Sequence, residues 1–205
     1  KTTASNKYLQ FYTDWSTLAF TDTVYVTNPI FEGNTKAGGV GSETTTGGTG
    51  KIYISNLRES VTSTASYFII TGRGVTATIS QLRINTNGCL VLNYGATDIC
   101  NTTWISTEAL MGSGSYPGSG LVVNNLSGAV INIYNSYLVG AYHCVKSAVA
   151  GGIINIYNST CLCATGSGGV DIVNTAGTIN IDLASHYATS SGTITRITTG
   201  NKILA

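Results

Sequence analysis

Hydrolysis of a polysaccharide takes two carboxyl groups roughly 5–10 Å apart, one serving as acid and the other as base or nucleophile. The chain carries nine Asp and Glu residues. Asp98 and Asp182 fall in neighbouring outward positions of one repeating pattern, but three repeats separate them, about 14 Å at the usual strand spacing. They cannot act as a pair. Asp171 lies on another strand, while Asp14, Asp22, Glu32, Glu43, Glu59 and Glu108 scatter over the leading segment, loops and corners. A lyase would set carboxylates for calcium beside a cation, yet the stacked Arg58 and Arg83 have only Glu59 nearby. Cys161 and His186 each stand five residues after a repeat anchor, Cys163 is two further on, and His143 adjoins Cys144. Zinc would need four such ligands converging, and a thiolate nucleophile would need a base at hand. The pattern reads as buried thiols beside corner histidines. No catalytic residue, metal ligand or cofactor is assigned.

Binding chemistry is better supplied. Tyr25, Tyr53, Tyr134 and Tyr157 fall at outward strand positions, with Asn132 and Asn155 beside the last two. Tyrosine rings stack on sugar faces and amides hydrogen-bond sugar hydroxyls. The same residues equally suit a subunit interface, where tyrosine is enriched.

These residues are placed by a repeat. The motif I-N-I occurs in "GAVINIYNSYLVG", "GGIINIYNSTCLC" and "AGTINIDLASHYA". Taking its second Ile as anchor and following the alternation upstream gives Val26, Ile54, Ile79, Ile99, Ile133, Ile156 and Ile181. Successive anchors are separated by 28, 25, 20, 34, 23 and 25 residues. Periods of about 20–50 residues with strict alternation indicate stacked β-coils, because one coil cannot bury its own apolar residues but a stack aligns them into a core. Two residues before the anchors stand Val24, Ile52, Ala77, Thr97, Ile131, Ile154 and Ile179, a second inward column. Two residues after come Asn28, Asn56, Gln81, Asn101, Asn135 and Asn158, and then Leu183. The six amides read as a ladder at a turn, bonding from coil to coil and to turn backbone groups that burial would otherwise leave unpaired.

Each coil is also expected to carry a second strand ("SYFII", "CLVL", "GLVVN", "HCVK", "VDIVN", "TITRI"), with enlarged loops at 32–50 and 107–120. Ahead of the first coil, Tyr8, Phe11, Trp15 and Leu18 are spaced for a short amphipathic helix that could cover the coil edge. Residues 1–20 are therefore assigned as an N-terminal cap segment and 21–205 as the β-helix domain. No comparable cap follows "TRITTGNKILA", so an open strand edge is expected there. The opening "KTTASNKYLQ" is neither a signal peptide nor a translational start, and the chain is expected to be a processed or partial piece.

Composition excludes other classes. Ten Lys and Arg against nine acids give a net charge of +1, without the basic stripe that nucleic acid requires. No apolar run approaches the roughly 20 residues of a membrane span. With 25 glycines and two prolines, the chain favours strands and turns. Five cysteines without a framework fit reduced thiols used as small apolar residues.

The coil length, amide ladder, cap candidate and charge-poor Thr/Ser/Gly/Asn composition together resemble the single-stranded right-handed parallel β-helix family. Within it the chain is similar to bacteriophage tailspikes and other virion fibres more than to pectate lyases. The resemblance spans roughly residues 21–200 and implies an all-β fold of about seven coils. It further implies a homotrimer on the virion, assembled in the bacterial cytoplasm with other virion proteins and used to attach to host surface polysaccharide. A polysaccharide depolymerase fragment and a purely structural fibre or capsid decoration are the alternatives. The trimer contact is expected to include at least one of Tyr25, Tyr53, Tyr134 and Tyr157.

Substituting Ile156→Asp would place an unpaired charge in the stacked core and is expected to cost several kcal/mol. Thermal unfolding checks it: an unchanged melting transition would refute the register.

Overall fold

The computed structural model describes residues 9–10, 21–28, 30–31, 40–42, 48–56, 58–59, 67–86, 89–106, 120–164 and 169–198. Among these every regular element is a β-strand, and every strand pairing is parallel. Strands are numbered along the chain. Sheet A contains β1 (Leu9–Gln10), β4 (Val40–Ser42), β7 (Tyr67–Thr71), β10 (Cys89–Asn93), β13 (Gly120–Asn124), β16 (His143–Ser147), β19 (Ile172–Asn174) and β21 (Ser190–Ser191). Sheet B contains β2 (Thr23–Thr27), β5 (Lys51–Ser55), β8 (Thr76–Ser80), β11 (Ala96–Cys100), β14 (Val130–Tyr134), β17 (Ile153–Tyr157), β20 (Thr178–Asp182) and β22 (Thr195–Ile197). Sheet C contains β3 (Ile30–Phe31), β6 (Arg58–Glu59), β9 (Arg83–Thr86), β12 (Thr103–Ser106), β15 (Tyr137–Gly140) and β18 (Thr160–Cys163). Up to β20 the chain visits A, B and C in turn, laying each strand beside its counterpart from the previous winding.

The seven anchors stack. Val26, Ile54, Ile79, Ile99, Ile133, Ile156 and Ile181 are partners in unbroken register across sheet B. All are buried, as are Ile52, Ile131, Ile154 and Ile179 two residues earlier. Each such side chain contributes about 1.5–3 kcal/mol on burial, and the parallel ladder lets like side chains share one layer. Val91, Val122, Val145 and Ile172 close the core from sheet A, and Leu82, Trp104, Leu138 and Cys161 close it from the sheet C side. Cys100, Cys144, Cys161 and Cys163 are free thiols, the first three buried.

The structure departs from the sequence expectations in four places. The first six windings have a third strand, in sheet C, hidden from pattern reading because it begins only two residues past the turn that ends sheet B. "TITRI" supplies β22 of sheet B; the sheet A strand of that winding is Ser190–Ser191. In the leading segment, Leu9–Gln10 pair in parallel with Val40–Gly41, and the rest of the expected helix lies outside the described residues. At the last described winding the strand edges of β21 and β22 have no further partner among the described residues, as expected, but the side-chain column there does not stay aliphatic. Arg196 takes the anchor position opposite Ile181, its guanidinium donates to the Asp182 and Ser185 carbonyls at 3.1 and 3.4 Å, and it lies 4.6 Å over the Tyr187 ring. Tyr187 and Ile194 pack against the core beneath it. The aliphatic column thus ends on a cation rather than on an open apolar layer.

A polar column runs through the interior where sheet A turns into sheet B. Asn93, Asn124, Ser147 and Asn174 are register partners. The Asn93 amide donates to Asn124 Oδ1 at 3.0 Å and to the Gly95 and Val130 carbonyls, and its oxygen accepts the Gly95 N–H and the Thr97 hydroxyl. Asn124 donates to the Ala129 and Ile153 carbonyls at 2.9 and 3.1 Å. These bonds satisfy corner carbonyls that face the core, and they explain how Thr97 occupies an otherwise apolar column. Ser147 breaks the series: a Cβ on Gly177 would fall 2.0 Å from Ser147 Oγ, so that corner has no room for the longer amide. Its buried hydroxyl has no hydrogen-bond partner among the described residues.

Asn124→Ala should therefore lower stability by about 2–4 kcal/mol, since several buried groups lose their partners, whereas Ser147→Ala should be neutral or stabilising by up to about 1 kcal/mol. Urea unfolding of the two variants checks the contrast; equal losses would contradict it.

Candidate functional site

The outer face of sheet B is held flat by the turn that follows it. Asn28, Asn56, Gln81, Asn101, Asn135 and Asn158 all adopt left-handed backbone, φ between 43° and 55°. Asn tolerates this region better than most residues because its short polar side chain bonds locally. Each of the first five donates its backbone N–H to a carbonyl of the next winding, from Asn28 to Ser55 through Asn135 to Tyr157, all at 3.1 Å. The six side chains are exposed, not enclosed in a corner. Asn56 donates to Asn28, and Asn158 donates to Asn135 Oδ1 at 2.9 Å. The column is thus selected chiefly by backbone conformation.

Directly after it runs an inward hydroxyl column. Ser136 and Ser159 each donate to the carbonyl two residues earlier at 2.7 Å, and Thr102 does the same at 3.0 Å. Each also receives or sends a bond between windings: Thr102 N–H to Ser136 Oγ, Ser136 N–H to Ser159 Oγ, Ser159 N–H to Ser185 Oγ, at 3.0–3.2 Å. In the last winding the chain inserts residues. Asp182 then replaces a backbone carbonyl, its carboxylate accepting the Asn158 N–H at 3.0 and 3.1 Å and the Ser185 hydroxyl at 2.5 Å. The insertion also shifts His186 opposite Thr160 rather than Cys161. The Cys161 N–H donates to the His186 carbonyl at 3.0 Å, but the thiol is buried and the imidazole exposed, so the two side chains do not form a pair.

The four tyrosines form two stacked pairs. Tyr25 and Tyr53 have ring centroids 5.0 Å apart and planes within 10°; for Tyr134 and Tyr157 the values are 5.1 Å and 8°. The pairs differ in accessibility. Tyr25 is 71% exposed and Tyr134 only 6%. Among the described residues Tyr25 stands on the outermost strand of sheet B, with one ring face on Tyr53 and no strand of the sheet beyond the other. Tyr134 has Tyr157 on one side and Cys100 on the other. Burial, then the Asp98 charge, Tyr157 and Cys100, push its phenol up to about 12. Burial and Asp98 likewise push Cys100 to about 11, which keeps that thiol protonated. Tyr134 therefore serves packing, and the accessible ring platform is Tyr25 with Tyr53.

Asn132 and Asn155 belong to a head-to-tail chain. Asn180 donates to Asn155, Asn155 to Asn132, and Asn132 to Asp98 Oδ1, each at 2.8 Å. One N–H of each amide is committed within the sheet, and Asp98 terminates the chain. Both carboxylates weighed for hydrolysis, Asp98 and Asp182, thus hold neighbouring windings together. Among the described residues no group of three or more His, Cys, Asp and Glu side chains is placed to hold a metal ion, and no helix is long and apolar enough to cross a membrane.

Asp171 escaped pattern reading as a scattered acid. It is buried, and its carboxylate accepts the backbone N–H groups of Cys163 at 2.5 Å, Ala188 at 2.7 Å and Thr189 at 2.8 Å. Burial raises its pKa, but these bonds outweigh burial and leave it below the ordinary carboxylate value. Close by, Cys144 donates to the Leu138 carbonyl at 3.4 Å, and burial pushes its thiol up. His143 lies edge-on to Tyr142, its pKa lowered by burial and further by Lys146, against the opposing effect of the Val170 carbonyl. The grouping ties β16, β18 and β19 to the last winding. Within it the half-buried Cys163 also hydrogen-bonds the Asp171 carboxylate through its thiol.

Comparisons with protein-family models, with curated proteins and with solved structures found no match.

Because the folded pKa of Asp171 lies below its unfolded value near 3.9, its contribution is complete above pH 4 and is lost as pH falls through the folded value. Asp171→Asn should lower the melting temperature at pH 7 and flatten the loss of stability between about pH 4 and 2. Thermal unfolding across that range checks it; parallel curves for variant and parent would contradict the assignment.

Proposed function

We propose that the chain forms a right-handed parallel β-helix of about seven coils, of the tailspike or virion-fibre type, and acts as a homotrimer attaching a virion to host surface polysaccharide. The observation that carries this reading is the Tyr25–Tyr53 stack on the unbroken seven-anchor sheet: an accessible aromatic platform on a regular parallel ladder. A parallel ladder resists deformation along its axis because every winding is bonded to its neighbours through backbone groups, which suits a spike. Sugar rings stack on aromatic faces of this kind, and Thr23 and Thr78 border the pair in register with hydroxyls. Free, largely buried thiols suit assembly in a reducing cytoplasm. The purely structural reading draws on a separate observation, the self-contained amide chain from Asn180 to Asp98, which consumes donors that a glycan could use.

One experiment separates the two. The intact protein should sediment as a trimer at micromolar concentration and be retained on host-surface polysaccharide. Tyr25→Ala with Tyr53→Ala should weaken retention at least about tenfold, from stacking losses of about 1–3 kcal/mol. A stable monomer would overturn the assembly, and retention unaffected by the double substitution would overturn the site.

A further inference from the structure

We infer that the glycan bound at Tyr25 and Tyr53 is an acidic one, its carboxylate held by Lys51; this rests on the attachment reading above. Lys51 is two residues before Tyr53 on β5, and strand alternation puts both on the outer face. Its register partner on β2 is Thr23, two residues before Tyr25, so Lys51 borders both rings. Lys51 is exposed, and its ammonium has no hydrogen bond or ion pair among the described residues.

The charge pattern of the face gives this position its meaning. Among the described outward positions of β2 to β20, Lys51 is the one cation. The anions of that face, Asp98 and Asp182, are committed to Asn132 and to Asn158 with Ser185. Asp98 also lies two strands beyond Tyr53, across Thr78. Asp22, exposed just ahead of β2, accepts the Lys51 N–H through its backbone carbonyl at 2.9 Å, and strand parity assigns its position to the opposite face from Lys51. The accessible ring face and the exposed Lys51 ammonium therefore coincide at one end of the described sheet. A sugar stacked there would place a ring substituent within reach of a lysine side chain, and a carboxylate gains from that contact where a neutral hydroxymethyl group gains little. A free phosphate or a peptide carboxylate lacks the flat apolar ring face that the tyrosines would cover.

The test uses the full chain and two uronate polymers, polygalacturonate and alginate, each compared with its carboxyl-reduced derivative, in which the carboxylate has become a primary alcohol. Dextran and mannan serve as neutral members of the panel. The parent protein should bind the native uronates about fivefold more tightly than the reduced forms, with the preference shrinking at high salt. Lys51→Gln should abolish the preference while keeping affinity for the reduced polymers, and Tyr25→Ala should weaken both; unchanged melting transitions establish that the variants fold. Equal binding of native and reduced forms by the parent, or a preference that survives Lys51→Gln, would overturn the acidic assignment and leave attachment standing. Failure to bind any polymer of the panel would count against both.

Discussion

The left-handed residue that ends six of the eight strands of sheet B governs everything above it. A β-strand cannot change direction within one residue unless that residue leaves the extended region, and for an L-residue with φ near 50° the cost is smallest for Asn. Once the bend is set, its N–H aims at the next winding and fixes the axial register there. That register lets the Ile columns coincide, and a one-residue slip would turn every apolar side chain of the strand outward. Backbone conformation at six positions and burial at seven anchors are thus two expressions of one constraint.

Stacking of like on like creates a second problem, since corners repeat and so do their unpaired backbone groups. The interior answers with short polar columns placed where the apolar ones stop: the Asn93–Asn124 pair and Asn174 at one corner, the Thr102–Ser136–Ser159–Ser185 series at another. The amides bond within their own winding and to the next, and the Ser136, Ser159 and Ser185 hydroxyls donate within their own winding while accepting a backbone N–H from the one before. Where the repeat changes length, charged groups take over. Asp182 accepts the N–H that a carbonyl receives in the other windings, Asp171 gathers three backbone N–H groups, and Arg196 covers the end of the aliphatic column. Few charges are present in the chain, and several of the described ones serve geometry.

The same repetition divides the outer face of sheet B. Where successive windings present amides, the side chains bond one another into the Asn180–Asp98 chain, and Tyr134, flanked by Tyr157 and Cys100, is enclosed. Where they present tyrosines beside hydroxyls, at the first strands, no strand among the described residues lies over the outermost ring, and Tyr25 is exposed. Accessibility thus concentrates at one end of the sheet, and the proposals about ligand binding concentrate there with it.

Alternation and period were enough to place the inward columns, the amide column and the all-β parallel class, because side-chain parity along a strand is a local property that spacing records directly. The sequence also put Tyr25 and Tyr134 in equivalent kinds of position, outward and next to the anchor column. Only the tertiary structure separated them: exposure depends on what stands one winding away, 23 or more residues distant, and Tyr134 has neighbours on both sides where Tyr25 has one. Sheet C was illegible for a related reason, its two- to four-residue strands being too short to show a period. The roles of Asn93 and Asn124 were not legible in the sequence, since a buried amide and an exposed one are the same letter until the corner carbonyls they serve are brought beside them.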